Sequence, residues 1–591
     1  MKASLFAAAA AALLAAAPIL EPHPGDIGPF DGDPAPPVVQ EVSEQAATAP
    51  IPTEAEIGSI LAGPLAEHPG TAHVSVRDAV TGEELYGQGQ DEAVAPASAM
   101  KLLTAATALR TLGAERRFRT RTVLIDPARS AVQTQPRPAS TWQPQATAQP
   151  GGESAGAPQP ESTWQPAPSP SSTWQPSPSS SWAPSPSSTW QPAPSPTPTP
   201  SPTGQSEPTS SAEPTPRPTP SPTDGAGGSD EPSESPSPSS ASPSPGESDA
   251  EGVPPSSAPE PEGPQQLVLV GGGDVMLGTG DSDESRVDGR AGLATLAEET
   301  VQGLQEQGVT GEVELTVDLR LYAGDGVNPA WSQGLLDEGY ISRVQPLATF
   351  GGRPEPGTAE ERVADPAQFA ARRFQSVLKE KVEESGAELT LTVREDVPQT
   401  TAPREMVEES ESVGEVRSAP LREQVDYMLA HSDNQLAEAL ARNAAYAVGR
   451  TPDHRGAAEL MTDVAADLGA DTEGMDLKDA CGLTGRNRIS AAALTGVLAA
   501  SAEMPLLGAT LQGLPTPGSD STLEKRLVGS AAEDTAAAKT GTLLESVSLT
   551  GRVVTTQGRV LVFSMVLTGI DSEVADARAA TDRAVAALAQ L

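Results

Sequence analysis

APASAMKLLTA, residues 95–105, sets a lysine three positions after a serine at the head of an apolar, alanine-rich run. Lysine is scarce in this chain: seven occur, at positions 2, 101, 379, 381, 478, 525 and 539. Pro96 and Ser98 read as a helix entrance, and Lys101, Leu102, Leu103, Ala105 and Ala106 continue as a helix whose i and i+3 side chains share a face. Ser98 and Lys101 can therefore touch. A partly desolvated amine beside a hydroxyl loses its proton more easily, as a general base for a serine nucleophile must. A capped surface helix with an incidental lysine accounts for the stretch equally well, so the rest of the chain has to decide.

Two further short signals follow in order. Ser98-Ala99-Met100-Lys101 is succeeded by Ser432-Asp433-Asn434 and then by Lys539-Thr540-Gly541. Each is weak alone, because a serine three before a lysine arises by chance in a serine-rich chain. The ordered set is the signature of penicillin-recognising serine acyl-transferases. Lys101 and Ser432 lie 331 positions apart, too many for a compact serine β-lactamase, so additional domains must sit between them.

The flanking sequence narrows this further. PASAMKLLTAATALRTLG, LVLVGGGDVML, SAPLREQVDYMLAHSDNQLAEALAR, the turn in DACGLTGRNRIS, LPTPGSDSTLEKR and AAKTGTLLESVSLTGRVV are the stretches that matter. Through them the chain resembles the class C low-molecular-mass penicillin-binding proteins, the D-alanyl-D-alanine carboxypeptidase/endopeptidase family with a large insert after the nucleophile helix. The likeness runs from about His73 to Phe563, leaving out a biased segment described below. It implies an α/β (α+β) fold: a penicillin-binding transpeptidase-like domain, an antiparallel sheet with helices, split by the insert. It implies Ser98 as nucleophile, Lys101 as base and Ser432 as proton relay to the leaving amine. Asn434 would orient substrate and Lys101, while Lys539, Thr540 and Thr542 would meet the substrate's terminal carboxylate. Gly541 would let the strand approach the ligand closely. The backbone amides of Ser98 and Thr542 are the implied oxyanion hole, and Asp433 reads as structural. Two departures stand out. The family's D-G-S-G-L is Asp479-Ala480-Cys481-Gly482-Leu483 here, at the expected rim of the site, and its D-P-x-L is Asp274-Val275-Met276-Leu277, in the insert.

Composition divides the 591 residues. MKASLFAAAAAALLAAAP has the pattern of an export signal, assigned to 1–25, and a linker follows over 26–50. The first part of the catalytic domain is placed at 51–118 and the start of the insert at 119–126. From 127 to 264 the sequence is Pro, Ser, Thr, Ala and Gly with almost no branched aliphatics, the composition of a disordered loop. S-T-W-Q-P recurs within it at Ser140, Ser162, Ser172 and Ser188, with a degenerate copy at Ser181. Slippage-expanded low complexity explains that repeat, and a projecting arm whose aromatics stack on sugars or protein is the sharper reading. The insert resumes over 265–414, and the second part of the catalytic domain fills 415–591. The strands 122–126 and 266–270 that flank the loop read as hairpin neighbours, and a folded domain can carry such a loop because closure entropy grows only slowly with length.

A net charge of −42 and a pI near 4.4 argue against nucleic acid or an anionic membrane as partner. The single Cys481 excludes an internal disulfide framework, and the five scattered histidines form no zinc-type cluster. Neither a cofactor nor a metal is expected. The chain should be exported to the cell envelope or beyond, without stable membrane insertion once the signal is removed, to act on peptidoglycan stem peptides ending in D-Ala-D-Ala and to bind β-lactams. His431 and Cys481 read as bystanders. Two alternatives compete: a β-lactamase that hydrolyses its acyl-enzyme quickly, and a non-catalytic envelope protein that binds peptidoglycan through the old pocket and the tryptophan arm.

Overall fold

The structure, a computed structural model, describes residues 30–31, 46, 48–66, 68, 70–125, 265–357, 361–504 and 507–591. The export signal, most of the linker and the repeat-bearing loop lie outside the described residues. The chain runs from a two-residue strand, Phe30–Asp31 (β1), through a helix at Glu54–Ala66 (α1) to a hairpin of Thr71–Asp78 (β2) and Glu84–Gln88 (β3). The hairpin turns where the sequence reads Thr81-Gly82, with Gly82 at φ 69°. Ala97–Ala99 make one 3-10 turn that feeds the helix Met100–Leu112 (α2), and Arg117–Ile125 (β4) follows.

Across the 127–264 segment, Gln265–Val270 (β5) resumes antiparallel to β4, with Thr122 opposite Leu269 and Ile125 opposite Gln266. The two strand ends are therefore neighbours, as the flanking sequence predicts. The insert continues through Asp274–Leu277 (β6), Leu293–Glu306 (α3), Gly311–Asp318 (β7), Leu347–Thr349 (β8), Pro366–Ser385 (α4), Leu389–Thr392 (β9) and Ser412–Arg417 (β10). Its main sheet has the order β1-β4-β5-β7-β9, with β10 also on β4, and β5, β7 and β9 run parallel. The parallel strands are joined by helical crossovers, as parallel pairing demands. Two strands are shorter than their alternating patterns suggest. GEVELTVDLRLY leaves the ladder after Asp318, whose carboxylate accepts the Arg320 amide at 2.9 Å and turns the chain. AELTLTVREDV stops at Thr392 because the glutamines of α4 take the next amides: Gln375 accepts from Arg394 and Gln368 from Val397.

The remaining chain supplies the helices Leu421–His431 (α5), Asn434–Ala447 (α6), His454–Asp467 (α7) and Ala491–Glu503 (α8), then strands Ala536–Thr542 (β11), Ser546–Val554 (β12) and Val560–Thr568 (β13), and a last helix, Val574–Leu588 (α9). β11, β12 and β13 join the first hairpin in an antiparallel sheet of order β11-β12-β13-β2-β3, so strands from before and after the insert share one sheet. Helices cover both faces. Phe563 packs with Leu549, Leu61 of α1 and Ala584 of α9, whereas its neighbour Val562 packs on the other face with residues of α2, α6 and α8. Burial on both sides explains why VLVFSMVLT is apolar at successive positions, interrupted in its interior only by Ser564, whose hydroxyl meets Thr550 at 2.9 Å. Among the described residues no helix is long and apolar enough to cross a membrane.

Candidate active site

Ser98 stands in the 3-10 turn before α2, half-exposed, on backbone that is clamped from two sides. Ala97 adopts φ 50°, uncommon for a residue with a Cβ. Opposite it on β11, Gly541 leaves room for the Ser548 hydroxyl of β12, which donates to Pro96 O at 2.7 Å. A Cβ on Gly541 would lie 2.1 Å from Ser548 Oγ and 3.0 Å from Pro96 O. The glycine of K-T-G therefore lets the protein's own Ser98-bearing turn dock on the sheet. Gly482 does the same from the other side: φ is 79°, and a Cβ there would meet Ala97 O at 1.9 Å.

One turn into α2, Lys101 is completely buried, with Nζ 3.2 Å from Ser98 Oγ. The ammonium nitrogen also donates to Asn434 Oδ1 at 2.7 Å and to the Cys481 carbonyl at 2.6 Å. Burial pushes Lys101 below the ordinary lysine range, against the upward pull of nearby Asp479, Asp433 and Glu438. Among the described residues no carboxylate oxygen pairs with it directly.

Ser432 and Asn434 are presented by the break between α5 and α6. Ser432 takes the left-handed conformation, φ 55° and ψ 36°, that ends α5. Asp433 then caps α6, accepting the Leu436 amide at 2.9 Å. The same buried carboxylate accepts from Arg353 at 2.9 Å and Arg362 at 2.8 Å, two arginines of the insert. Burial alone would raise Asp433, but the two guanidiniums and the cap bond prevail and hold it below the usual carboxylate value. Asn434 spans the site: its amide nitrogen donates to the Tyr340 carbonyl of the insert at 2.9 Å while its oxygen receives Lys101. The insert thus fixes the S-D-N turn.

Lys539 is also completely buried, and its Nζ donates to the Thr540 carbonyl at 2.8 Å. Desolvation, with Lys101 and Arg526 adding like charge, drives it far below the ordinary lysine range. The strand pleat sets Thr540 and Thr542 on the face opposite Lys539. The Thr540 hydroxyl donates to Thr522 Oγ1 at 2.9 Å, and Arg578 donates to Thr542 Oγ1 at 3.0 Å.

Cys481 does not sit on a rim. It is buried behind Lys101, its thiol is pushed up by desolvation, and its carbonyl is the contact that matters. His431 stacks at 4.4 Å on Tyr427.

The family model for the D-Ala-D-Ala carboxypeptidase 3 (S13) family matches residues 54–132 and 350–591, more than half of the chain and all three motifs. The chain belongs to that family. It is 30% identical over 310 residues to carboxypeptidase DacB of Mycolicibacterium smegmatis, covering 51% of this chain and 63% of that protein. It is 29% identical over 314 residues to a carboxypeptidase of Mycobacterium tuberculosis, covering 52% and 63%. The matched stretch thus spans less than two thirds of either relative. Penicillin-binding protein 4 of Haemophilus influenzae has a similar fold, with a TM-score of 0.53 at 14% identity over 89% of this chain and 97% of that one. The transpeptidase-like fold with a large insert is therefore the S13 fold.

Several contributors to the site carry no motif. Arg353, Arg362, Tyr340 and Ser548 reach it only through tertiary contacts. Glu438 and Arg442 are legible in principle, since Asn434, Glu438 and Arg442 repeat at i, i+4 and i+8 along an alanine- and leucine-rich helix, and both Glu438 and Arg442 are fully buried.

Proposed function

We propose that the chain is a serine-type D-Ala-D-Ala carboxypeptidase of exported, wall-facing context, acting on peptidoglycan stem peptides through a Ser98 acyl-enzyme that penicillins also form. The supporting observation is the environment of Lys101 Nζ. A neutral amine has two N–H bonds and one lone pair. Asn434 Oδ1 and the Cys481 carbonyl take the two hydrogens, which leaves the lone pair for the Ser98 hydroxyl 3.2 Å away. Burial favours that neutral form.

Ser98 Oγ attacks the carbonyl between the two D-alanines and its proton passes to Lys101 Nζ. The C–N bond then breaks, Ser432 relays a proton to the departing amine, and D-alanine leaves. Water attacking the ester by the reverse proton path frees Ser98. The amides of Ser98 and Thr542 are the proposed oxyanion donors. Thr540 and Thr542 hydroxyls take the terminal carboxylate, with Lys539 supplying positive potential from beneath the strand. A ligand carboxylate would restore the ammonium form that burial disfavours. Endopeptidase cleavage of cross-links breaks the same type of bond, so the same machinery serves both reactions.

Incubation with a labelled penicillin, proteolysis and mapping tests this reading. The adduct is expected on Ser98 and should vanish in Ser98→Ala. An adduct elsewhere, or none, would sink it. Rapid turnover of the bound penicillin would instead point to a β-lactamase.

A further inference from the structure

Behind Lys101 lies a fully buried carboxylate that neither the motifs nor the proposed reaction employs. Glu438 stands one turn after Asn434 on α6, and its Oε1 accepts two consecutive backbone amides, Ala480 at 2.7 Å and Cys481 at 3.0 Å. The carbonyls of those same residues are held from α2: Thr104 Oγ1 donates to Ala480 O at 2.6 Å and Lys101 Nζ to Cys481 O at 2.6 Å. The 480–481 backbone is thus gripped on its donor side by Glu438 and on its acceptor side by the nucleophile helix. The second carboxylate oxygen, Oε2, has no hydrogen-bond partner among the described residues.

Resting on the assignment of Lys101 as the base, we infer that Glu438 is its positioning residue, aiming the Cys481 carbonyl at Lys101 Nζ and setting through its charge how readily the amine is free. The geometry gives it both levers. Without a fixed Cys481 carbonyl, one of the two acceptors that orient the amine is lost, and the lone pair is no longer confined to the Ser98 direction. The charge acts independently, since a carboxylate behind the amine favours its protonated form.

The groups facing Glu438 are few. Lys101 approaches from α2, Asp479 and Cys481 from the turn, and Arg442 from its own helix. Asp479 is saturated by the Gly482 and Thr484 amides, the Asn487 side-chain amide and the Trp331 indole. Asp433 acts on Lys101 from the other side, while Tyr322, Asp453, Asp325 and His454 act on Arg442. Desolvation, joined by Asp479, raises Glu438 to about 7. It therefore changes charge near neutral pH.

Two variants separate the levers. Glu438→Gln keeps the length and one acceptor oxygen but removes the charge; Glu438→Asp keeps the charge but is a methylene too short to hold both amides. Penicillin acylation of Ser98 is measured from pH 5 to pH 10 in each, beside melting temperature. In Glu438→Gln the rising limb of the rate against pH should move to lower pH by about half a unit or more. In Glu438→Asp the limb should stay in place while the rate falls about tenfold or more. A limb unmoved in Glu438→Gln and a rate within twofold of the parent in Glu438→Asp would leave Glu438 a mere packing group and overturn the inference. Should Glu438→Gln fail to fold, the Glu438→Asp rate alone decides by the same criterion. Failure of the parent protein to be acylated at Ser98 is a different outcome: it overturns the active-site reading itself and this inference with it.

Discussion

Lys101 and Asn434, 333 residues apart in sequence, share a 2.7 Å hydrogen bond that joins α2, the helix after Ser98, to the S-D-N turn. Each side chain has a second anchor elsewhere, the Cys481 carbonyl for Lys101 and the Tyr340 carbonyl for Asn434. Because Lys101 is buried and, among the described residues, hydrogen-bonded to neutral oxygens, its proton affinity is set chiefly by desolvation. If Lys101 is the base, the rate of Ser98 acylation should accordingly rise with pH around a midpoint below the value of about 10.4 for free lysine. A stopped-flow pH series with a chromogenic β-lactam checks this. A midpoint at or above the free-lysine value would remove Lys101 from the role of base.

Lys539→Met should separate stability from function. The buried ammonium has a depressed value in the folded state, so the unfolded chain holds the proton more tightly. That cost to folding is present at neutral pH and disappears as pH climbs past the unfolded lysine value of about 10.4. Methionine preserves length and removes the charge, so the melting temperature at pH 7 should be equal or higher while acylation by carboxylate-bearing penicillins falls about tenfold or more. Calorimetry and acylation kinetics on the same preparation report both. Unchanged kinetics would take Lys539 out of carboxylate recognition.

Asp433→Ala strips two buried arginines of their shared anion and α6 of its cap. Removing one partner from a buried ionic cluster typically costs about 3–5 kcal/mol. Denaturant unfolding should show a loss of that order, with acylation impaired because Asn434 begins on the next residue. A loss under about 1 kcal/mol would mean that Arg353 and Arg362 find other partners.

The reason offered for Gly541 is steric and internal. Gly541→Ala should displace Ser548 and slow acylation, whereas Ser548→Ala alone loses one hydrogen bond, worth about 1 kcal/mol. Combining the two should recover part of the Gly541→Ala defect, because the 2.1 Å clash is with the hydroxyl being removed. Additive defects in the double variant would place the constraint on the ligand side instead.

Replacing about residues 129–264 by a short turn should leave melting temperature and acylation near their parent values, since β4 and β5 are already paired up to Ile125 and Gln266. Pull-down on intact cell walls is the measurement expected to change if the spaced tryptophans form a binding arm. A large fall in melting temperature would make the segment part of the folded domain.

What the sequence by itself determined is local or set by order. Ser98 and Lys101 share a helix face at i and i+3. The three motifs follow one another in the family's order, the TG turn makes a hairpin, and the proline-rich segment interrupts two strands that can still pair. Each follows from side-chain chemistry or periodicity within a dozen residues, or from the order in which such short stretches occur. The tertiary structure decided how the motifs are served. Backbone carbonyls at Cys481 and Tyr340 have no identity in a sequence, yet they complete the coordination of Lys101 and Asn434. Asp433 reads as structural from chemistry alone, but its two arginines lie 71 and 80 residues away in an insert whose path no local rule supplies. Cys481 reads as a bystander in a turn expected at the rim and proves buried behind Lys101, and Lys539 reads as a cation near the terminal carboxylate and lies beneath its strand. Residue type does not encode burial: that depends on which helices cover each face of the sheet, and here both faces are covered.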